Sequence, residues 1–402
     1  MNVLWGICGI LIILGIAFLF SSAKKSIKLR TVIAGLTIQI LFAFIVLKWE
    51  TGREGLVRFS NGVSNLISYA NEGISFLFGP LVADQTAVVF AFQVLTVIIF
   101  FSSLISILYY LGVMQFFIKI IGGVLSKILG TSKAESISAA ANIFVGQTEA
   151  PLVIRPFIAK MTKSELFAVM TGGLASVAGS VLVGYALLGV PLEYLLAASF
   201  MAAPAGLILA KIMIPETEEV DESEFVMEKD KSSANVVDAA AKGASEGMQL
   251  ALNVGAMLLA FIGIIALING LLGGIGGWFG FSDLSLEGIL GYIFSPLAFA
   301  IGVPWAEAVQ AGSYIGQKLV LNEFVAYSSF APDIPDLSPK TVIVVSFALC
   351  GFANLASLAI LLGGLGSMVP SRRSDIARLG FRAVAAGMLA SLLSASIAGM
   401  FM

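Results

Sequence analysis

The chain has 402 residues; 58% are hydrophobic, only 12% are charged, and there is no histidine. A soluble globular protein carries about 25% charged residues, so this composition excludes a soluble enzyme, a disordered chain and a collagen-like one, and specifies an all-α polytopic membrane protein in a lipid bilayer. A net charge of −2 gives no reason to expect nucleic acid, and the missing histidines remove Ser-His-Asp and Cys-His catalysis and HExxH zinc sites.

A span needs about 20 apolar residues. The first run, 3–20, is followed by Lys24, Lys25, Lys28 and Arg30 and has nothing basic before it, so it reads as a helix with its N-terminus outside, not as a secretory signal. The second span is 31–47. Segment 51–80 sets Leu56, Phe59, Val63, Leu66 and Ile67 at helical spacing among polar residues, the pattern of an amphipathic interfacial helix. The third span is 83–111, and 114–129, with Lys119 and Lys127, is a second interfacial helix. Region 134–160 is too short to cross twice and is broken at its centre by Gly146-Gln147-Thr148-Glu149-Ala150-Pro151. Spans follow at 164–190 and 192–214.

The stretch 215–231 holds Glu216, Glu218, Glu219, Asp221, Glu222, Glu224, Glu228 and Asp230, a solvated loop and not a further domain. A long helix at 234–271, an interfacial segment at 284–302 and a second interrupted region at 304–335 come next. Spans at 341–362 and 376–402 complete eight transmembrane helices, two re-entrant hairpins and three interfacial helices. Cys8 and Cys350 lie in apolar runs, as small apolar residues.

Cytoplasmic loops of membrane proteins are enriched in Lys and Arg. Starting outside, only Lys48, Arg53, Arg58, Lys318 and Lys340 of the 23 basic residues fall outside. Both termini are then extracytoplasmic, and the two interrupted regions enter from opposite faces.

The interrupted regions resemble each other. Ala134-Glu135-Ser136 opens one and Ala306-Glu307-Ala308 the other; Leu-Ala-Ser recurs in the soft-centred span after each, at Leu174-Ala175-Ser176 and Leu355-Ala356-Ser357. The chain thus divides into two N-terminal spans (1–50), an interfacial helix (51–82), a first repeat (83–214, hairpin 134–160), an acidic loop (215–233) and a second repeat (234–402, hairpin 304–335). Opposed repeats with broken helices are the plan of secondary transporters, whose sites form where the breaks meet.

A carboxylate in the bilayer costs at least about 2.5–3.5 kcal/mol on insertion scales and marks a pathway. Glu149, beside Gln147 and Thr148, and Glu323, beside Asn322, lie at the breaks. Glu135 and Glu307, at the hairpin starts, read as caps. Asn354 and Ser357 share one helical face if the backbone there is helical, near Phe352. These groups suit a neutral, hydroxyl-rich solute. Asn142 and Ser176 offer hard oxygens to a cation.

The string Gly316-x-Lys318-x-x-x-Asn322-Glu323-Phe324-Val325-Ala326, with Gly146-Gln147-Thr148-Glu149-Ala150-Pro151, resembles the concentrative nucleoside transporter family over nearly the whole chain. The resemblance implies a cell-membrane homotrimer that imports nucleosides, uridine-like pyrimidine nucleosides favoured, by an elevator-like motion with the third and sixth spans as scaffold. It implies that Gln147, Thr148 and Glu149 face the nucleobase against Val181, and that Glu323, Asn354 and Ser357 hold the ribose with Phe352 close by. It places co-transported sodium on Asn142 and Ser176 with carbonyls at Val145 and Val177. Proton-coupled family members tend to depart at the Asn142 position, so Asn142 favours sodium. Proton coupling and a channel for small polar solutes are the alternatives; an enzyme is not expected.

Overall fold

A computed structural model describes residues 2–82, 89–220, 233–281 and 283–402. The predicted start of the third span at 83 and the acids from Asp221 to Asp230 lie outside the described residues. Among the described residues the secondary structure is helical, with no strand.

The N-terminal part is α1 (Asn2–Leu19), α2 (Leu29–Ala43, continued by a π turn to Lys48) and α3 (Glu50–Phe78). Then come α4 (Phe90–Tyr110), α5 (Val113–Leu129), the short α6 (Lys133–Ala141) and α7 (Arg155–Ile158), α8 (Lys163–Ala175), α9 (Gly179–Leu187) and α10 (Leu192–Met213). After the acidic loop the same order returns. The long α11 (Val236–Trp278) precedes α12 (Leu286–Ala300), α13 (Trp305–Val320), α14 (Glu323–Phe330), α15 (Pro339–Leu349), α16 (Leu355–Met368) and α17 (Arg373–Gly399). Seven helices among the described residues are long and apolar enough to cross a membrane, and α12 and α13 meet at a 116° bend.

Each boundary has a local cause. Ser132 and Thr162 start α6 and α8 with reciprocal capping boxes to Glu135 and Glu165. Asn322, Ser338 and Asn354 cap α14, α15 and α16. α5 buries Met114, Ile118, Gly122, Leu125 and Leu129, one stripe of an amphipathic helix.

The helices divide by burial. In α1, α2, α4 and α11 only 22–28% of the apolar window is buried, so most of their apolar surface faces outward, as lipid contact requires. The α8–α9 pair is 94% buried, α10 89% and α17 83%. The interrupted backbone is therefore enclosed by continuous helices, the one setting in which a bilayer tolerates it.

Packing without a hydrophobic drive relies on small residues and interhelical hydrogen bonds. α11 brings Gly243 and Gly247 against Ser102, Ser103 and Ser106 of α4, where an added Cβ would come within 2.5–2.9 Å of their atoms. Ser103 and Ser106 donate to the carbonyls of Ala240 and Ala239. Gln39 of α2 donates to the Met201 carbonyl of α10 and to Ser394 of α17, bonds of about 0.6 kcal/mol each in membrane proteins.

The two ends of the bundle differ. Asn2 donates to the Met402 carbonyl and accepts from Lys340, so the termini meet at one end. At the other end, Arg382 donates to the final carbonyls of α1 and α10 through Phe20 and Met213, Arg30 to those of α5 through Lys127 and Ile128, and Arg372 to Met161. Cations at helix C-termini complement the helix dipole.

Candidate functional site

Four breaks converge in the buried core: the turn between α6 and α7, the residues Ser176–Ala178 between α8 and α9, the turn between α13 and α14, and the residues Cys350–Asn354 between α15 and α16. The two broken spans touch at their breaks, where the Phe352 N–H donates to the Ser176 carbonyl at 3.0 Å.

Glu323, in the first turn of α14, is 6% exposed. Its Oε1 accepts from the Tyr185 hydroxyl of α9 at 3.0 Å, and its Oε2 from Asn354 Nδ2 at 3.1 Å. Asn354 in turn caps α16, its Oδ1 accepting the Ser357 N–H at 2.8 Å. Asn354 and Ser357 are thus joined, but as a helix cap and its bonded residue, not as neighbours on a continuous helical face. The reason is the break: Asn354 has extended backbone and lies outside α16.

Tyr185 was not singled out in the sequence. Its ring packs on Phe324 and Tyr327, centroids 4.8 and 4.4 Å away. Val181 lies one turn earlier on α9 and is buried; Phe352 is half-buried in its break. A lone Tyr in an apolar helix carries no local signal of a partner 138 residues on.

At the first tip, Glu149 Oε1 accepts from the Thr148 hydroxyl at 3.2 Å. Thr148 packs against Gly364 of α16 and Gln147 against Gly173 of α8. Gln147 is buried, and its Oε1 has no hydrogen-bond partner among the described residues.

Next to this tip, Asn142 Nδ2 donates to the Ser138 carbonyl at 3.0 Å, and Ser176 Oγ to the Gly172 carbonyl at 3.0 Å. Asn142 Oδ1, Ser138 Oγ and Thr171 Oγ1 are buried without a partner among the described residues. The neighbouring segments meet through the Gly179 N–H and the Phe144 carbonyl, beside Val145 and Val177. Neutral, hard, unpartnered oxygens fit a monovalent cation such as sodium. A carboxylate-rich divalent site is a different chemistry, and no group of three or more Asp, Glu, Cys or His stands together among the described residues.

The two hairpin-start acids are caps, as expected, and more. Glu135 completes the Ser132 capping box and also pairs with Lys211 of α10 at 2.7 Å. Glu307 caps α15 instead of its own helix, accepting from the Ser338 N–H and hydroxyl at 3.1 and 2.8 Å. The Lys211 pair, extended by Glu216 at 3.5 Å, joins residues distant in sequence and was not legible there. A small open recess lies beside it, bordered by Lys28, Ser132, Glu135 and Lys211. That recess is at the basic end, away from the tips, and its Ser132, Glu135, Lys211 and Glu216 side chains are already paired with one another.

Comparison with known proteins agrees across the whole chain. Family models described as the Na+ dependent nucleoside transporter N-terminus and C-terminus match residues 8–81 and 194–399, and one described as nucleoside recognition matches 91–192. The chain is 64% identical to an uncharacterized transporter of Bacillus subtilis, covering 100% of both. It is 51% identical to the nucleoside permease NupC of Helicobacter pylori, over 99% of this chain and 97% of that one. It superposes on the solved structure of CNTnw in an inward-facing substrate-bound state with a TM-score of 0.95 and 57% identity, covering 100% of this chain and 98% of that one.

Proposed function

The chain belongs to the Na+ dependent nucleoside transporter family, and on that premise we propose that it is a sodium-coupled nucleoside importer, with uridine-like pyrimidine nucleosides as the favoured cargo. It is a membrane nucleoside transporter and not an enzyme. The observation that carries the finer reading is the buried, unpartnered Oδ1 of Asn142, at the end of α6 next to the first tip, with further buried hydroxyls at Ser138 of α6 and Thr171 of α8 that have no partner among the described residues. None of these side chains exchanges a proton near neutrality, so a coupling cation there has to be bound as an ion. That favours sodium over proton coupling.

In this reading Asn142 and Ser176, with the Val145 and Val177 carbonyls, hold sodium. Gln147, Thr148, Glu149 and Val181 face the nucleobase. Glu323, Asn354 and Ser357 hold the ribose, with Phe352 beside it. A carboxylate that already accepts two hydrogen bonds, as Glu323 does from Tyr185 and Asn354, is oriented to accept from sugar hydroxyls as well.

The architecture proposed is eight spans, the eighth being α15 with α16, together with two opposed re-entrant hairpins (134–160 and 304–335) and three interfacial helices. Residues 83–214 and 234–402 form inverted repeats. The recurrence of helix order from α4–α10 in α11–α17 supports this. Termini meeting at one end and arginines gathered at the other support an even number of crossings with both termini outside. The α4–α11 pair packs along its own length and meets the broken-helix body chiefly through α9 and α14. That limited contact supports an elevator in which the body slides past α4 and α11, in a homotrimer.

Uptake of radiolabelled uridine into proteoliposomes tests the proposal. Accumulation above equilibrium under an inward sodium gradient alone is expected. Accumulation driven by protons alone overturns the ion, and equilibration without accumulation overturns the coupling in favour of a channel.

A further inference from the structure

α15 stops at Leu349, so the carbonyls of its last turn lose their helical partners. The Ala348 carbonyl would ordinarily accept the N–H of residue 352. That N–H, from Phe352, instead crosses to the Ser176 carbonyl of the other broken span. Gly351 permits the crossing, since a Cβ there would lie 2.9 Å from the Ala175 carbonyl oxygen. The Ala348 carbonyl is taken by Lys318, in the last turn of α13. Lys318 is 0% exposed, and its Nζ donates to that carbonyl at 2.7 Å and to Ser391 Oγ at 3.1 Å. Ser391 passes the contact on, its one hydroxyl proton shared between the Cys350 carbonyl at 3.2 Å and the Gly387 carbonyl of its own helix at 3.3 Å.

A charge removed from water at this depth persists only where it is paired or hydrogen-bonded. Here one acceptor is the loose Ala348 carbonyl of a broken helix, the type of ligand that coupling ions take in transporters, and the other is the Ser391 hydroxyl. In the first half, the Asn142 Oδ1 at the end of α6 and the hydroxyls of Ser138 in α6 and Thr171 in α8 have no partner among the described residues.

We infer that Lys318 is a built-in cation of the second half, a positioning residue that clamps the α15–α16 break and thereby holds Asn354, Ser357 and Glu323 in place for the sugar of the nucleoside. This rests on the proposed ribose-binding role of those residues. Lys318 itself touches no substrate. It ties α13 and α17 to the broken end of α15, while a mobile cation does the corresponding work in the first half.

The test is equilibrium binding to the purified full chain in saturating sodium, comparing uridine with 2′,3′-dideoxyuridine, which lacks both ribose hydroxyls. Lys318→Met is expected to weaken uridine binding at least about tenfold while leaving dideoxyuridine within about twofold, because only sugar hydroxyl recognition loses its support. The sodium half-saturation stays unchanged, and Lys318→Arg retains most of the discrimination. Wild-type discrimination in Lys318→Met, equal loss of both nucleosides, or a shift in sodium dependence each overturns the assignment. Should Lys318→Met fail to accumulate, Ser391→Ala removes the second arm. It is expected to lower the discrimination about threefold, and no change there overturns the assignment equally. Failure of the wild-type chain to bind uridine at all counts against the nucleoside reading, independently of Lys318.

Discussion

The two interrupted regions share an architecture but treat their polar atoms in opposite ways. In the second, both Glu323 oxygens accept hydrogen bonds, Asn322 caps α14, and Lys318 is bonded twice. Gln317 donates to Ser313 and accepts from Ser329. In the first, Asn142, Ser138, Gln147 and Thr171 each bury an oxygen that has no partner among the described residues. A buried polar group left alone costs about 1–3 kcal/mol, so each of these oxygens calls for an explanation that the hydrogen bonds of the second region do not. The contrast is one of satisfaction: the polar atoms of the second region are already held by protein groups, Tyr185 of the first half among them, while the first half keeps several oxygens with no partner among the described residues.

Substitutions can break this contrast or sharpen it. The largest effect is expected from Glu323→Gln. It removes a charge that accepts two bonds, each charge-assisted bond being worth about 1.5–3 kcal/mol, and uridine uptake should fall about 100-fold or more at equal membrane level. Near-normal uptake would end the claim that the second half orients a working carboxylate.

Asn142→Ala comes next. Its oxygen has no internal partner to lose, so the sodium half-saturation in uptake assays should rise about tenfold, by the value of a lost ligand. The unfolding temperature in detergent should fall by only a few degrees, about what loss of one hydrogen bond costs. A collapse of stability with intact sodium dependence would make the first half as self-contained as the second.

Tyr185→Phe strips one bond from Glu323 and leaves Oε1 without its donor. The uridine KM should rise about five- to twentyfold, the cost of an orphaned acceptor, with sodium dependence unchanged. The smallest effect is expected at the seam between the halves. A Cβ at Gly364 would lie 2.6 Å from Thr148 Cγ2. Gly364→Ala must displace that side chain, and a KM increase of about threefold, read from the same uptake curve, fits a modest overpacking cost.

Much of the architecture was legible because bilayer physics writes it into local pattern. Apolar run lengths located the long helices within a few residues, although α11 continues to Trp278 beyond the expected 271. The tip motifs located Glu149 and Glu323 because acids amid apolar sequence are costly. The partners were not legible. Asn354 looked like a helix-face residue and is a cap, because a three-residue spacing suits either geometry. Glu307 was legible as a cap, but not that the helix it supports is α15. Tyr185 and Lys211 looked like ordinary members of apolar helices, yet they meet Glu323 and Glu135 across 138 and 76 positions of chain.

By itself, the sequence determined that this chain is a helical membrane protein, where its helices run and break, and, through its motif strings, the family to which it belongs. These depend on composition, run length and short-range capping, all local quantities. Only the tertiary structure decided which polar atoms are satisfied and which stand open: that Glu323 is held by Tyr185 and Asn354, that Lys318 closes the end of α15, and that Asn142 keeps a bare oxygen. The physical reason is that a buried polar group depends on whichever donor or acceptor the fold brings within hydrogen-bond reach. In a core made of crossing broken helices, that neighbour comes from a remote part of the chain.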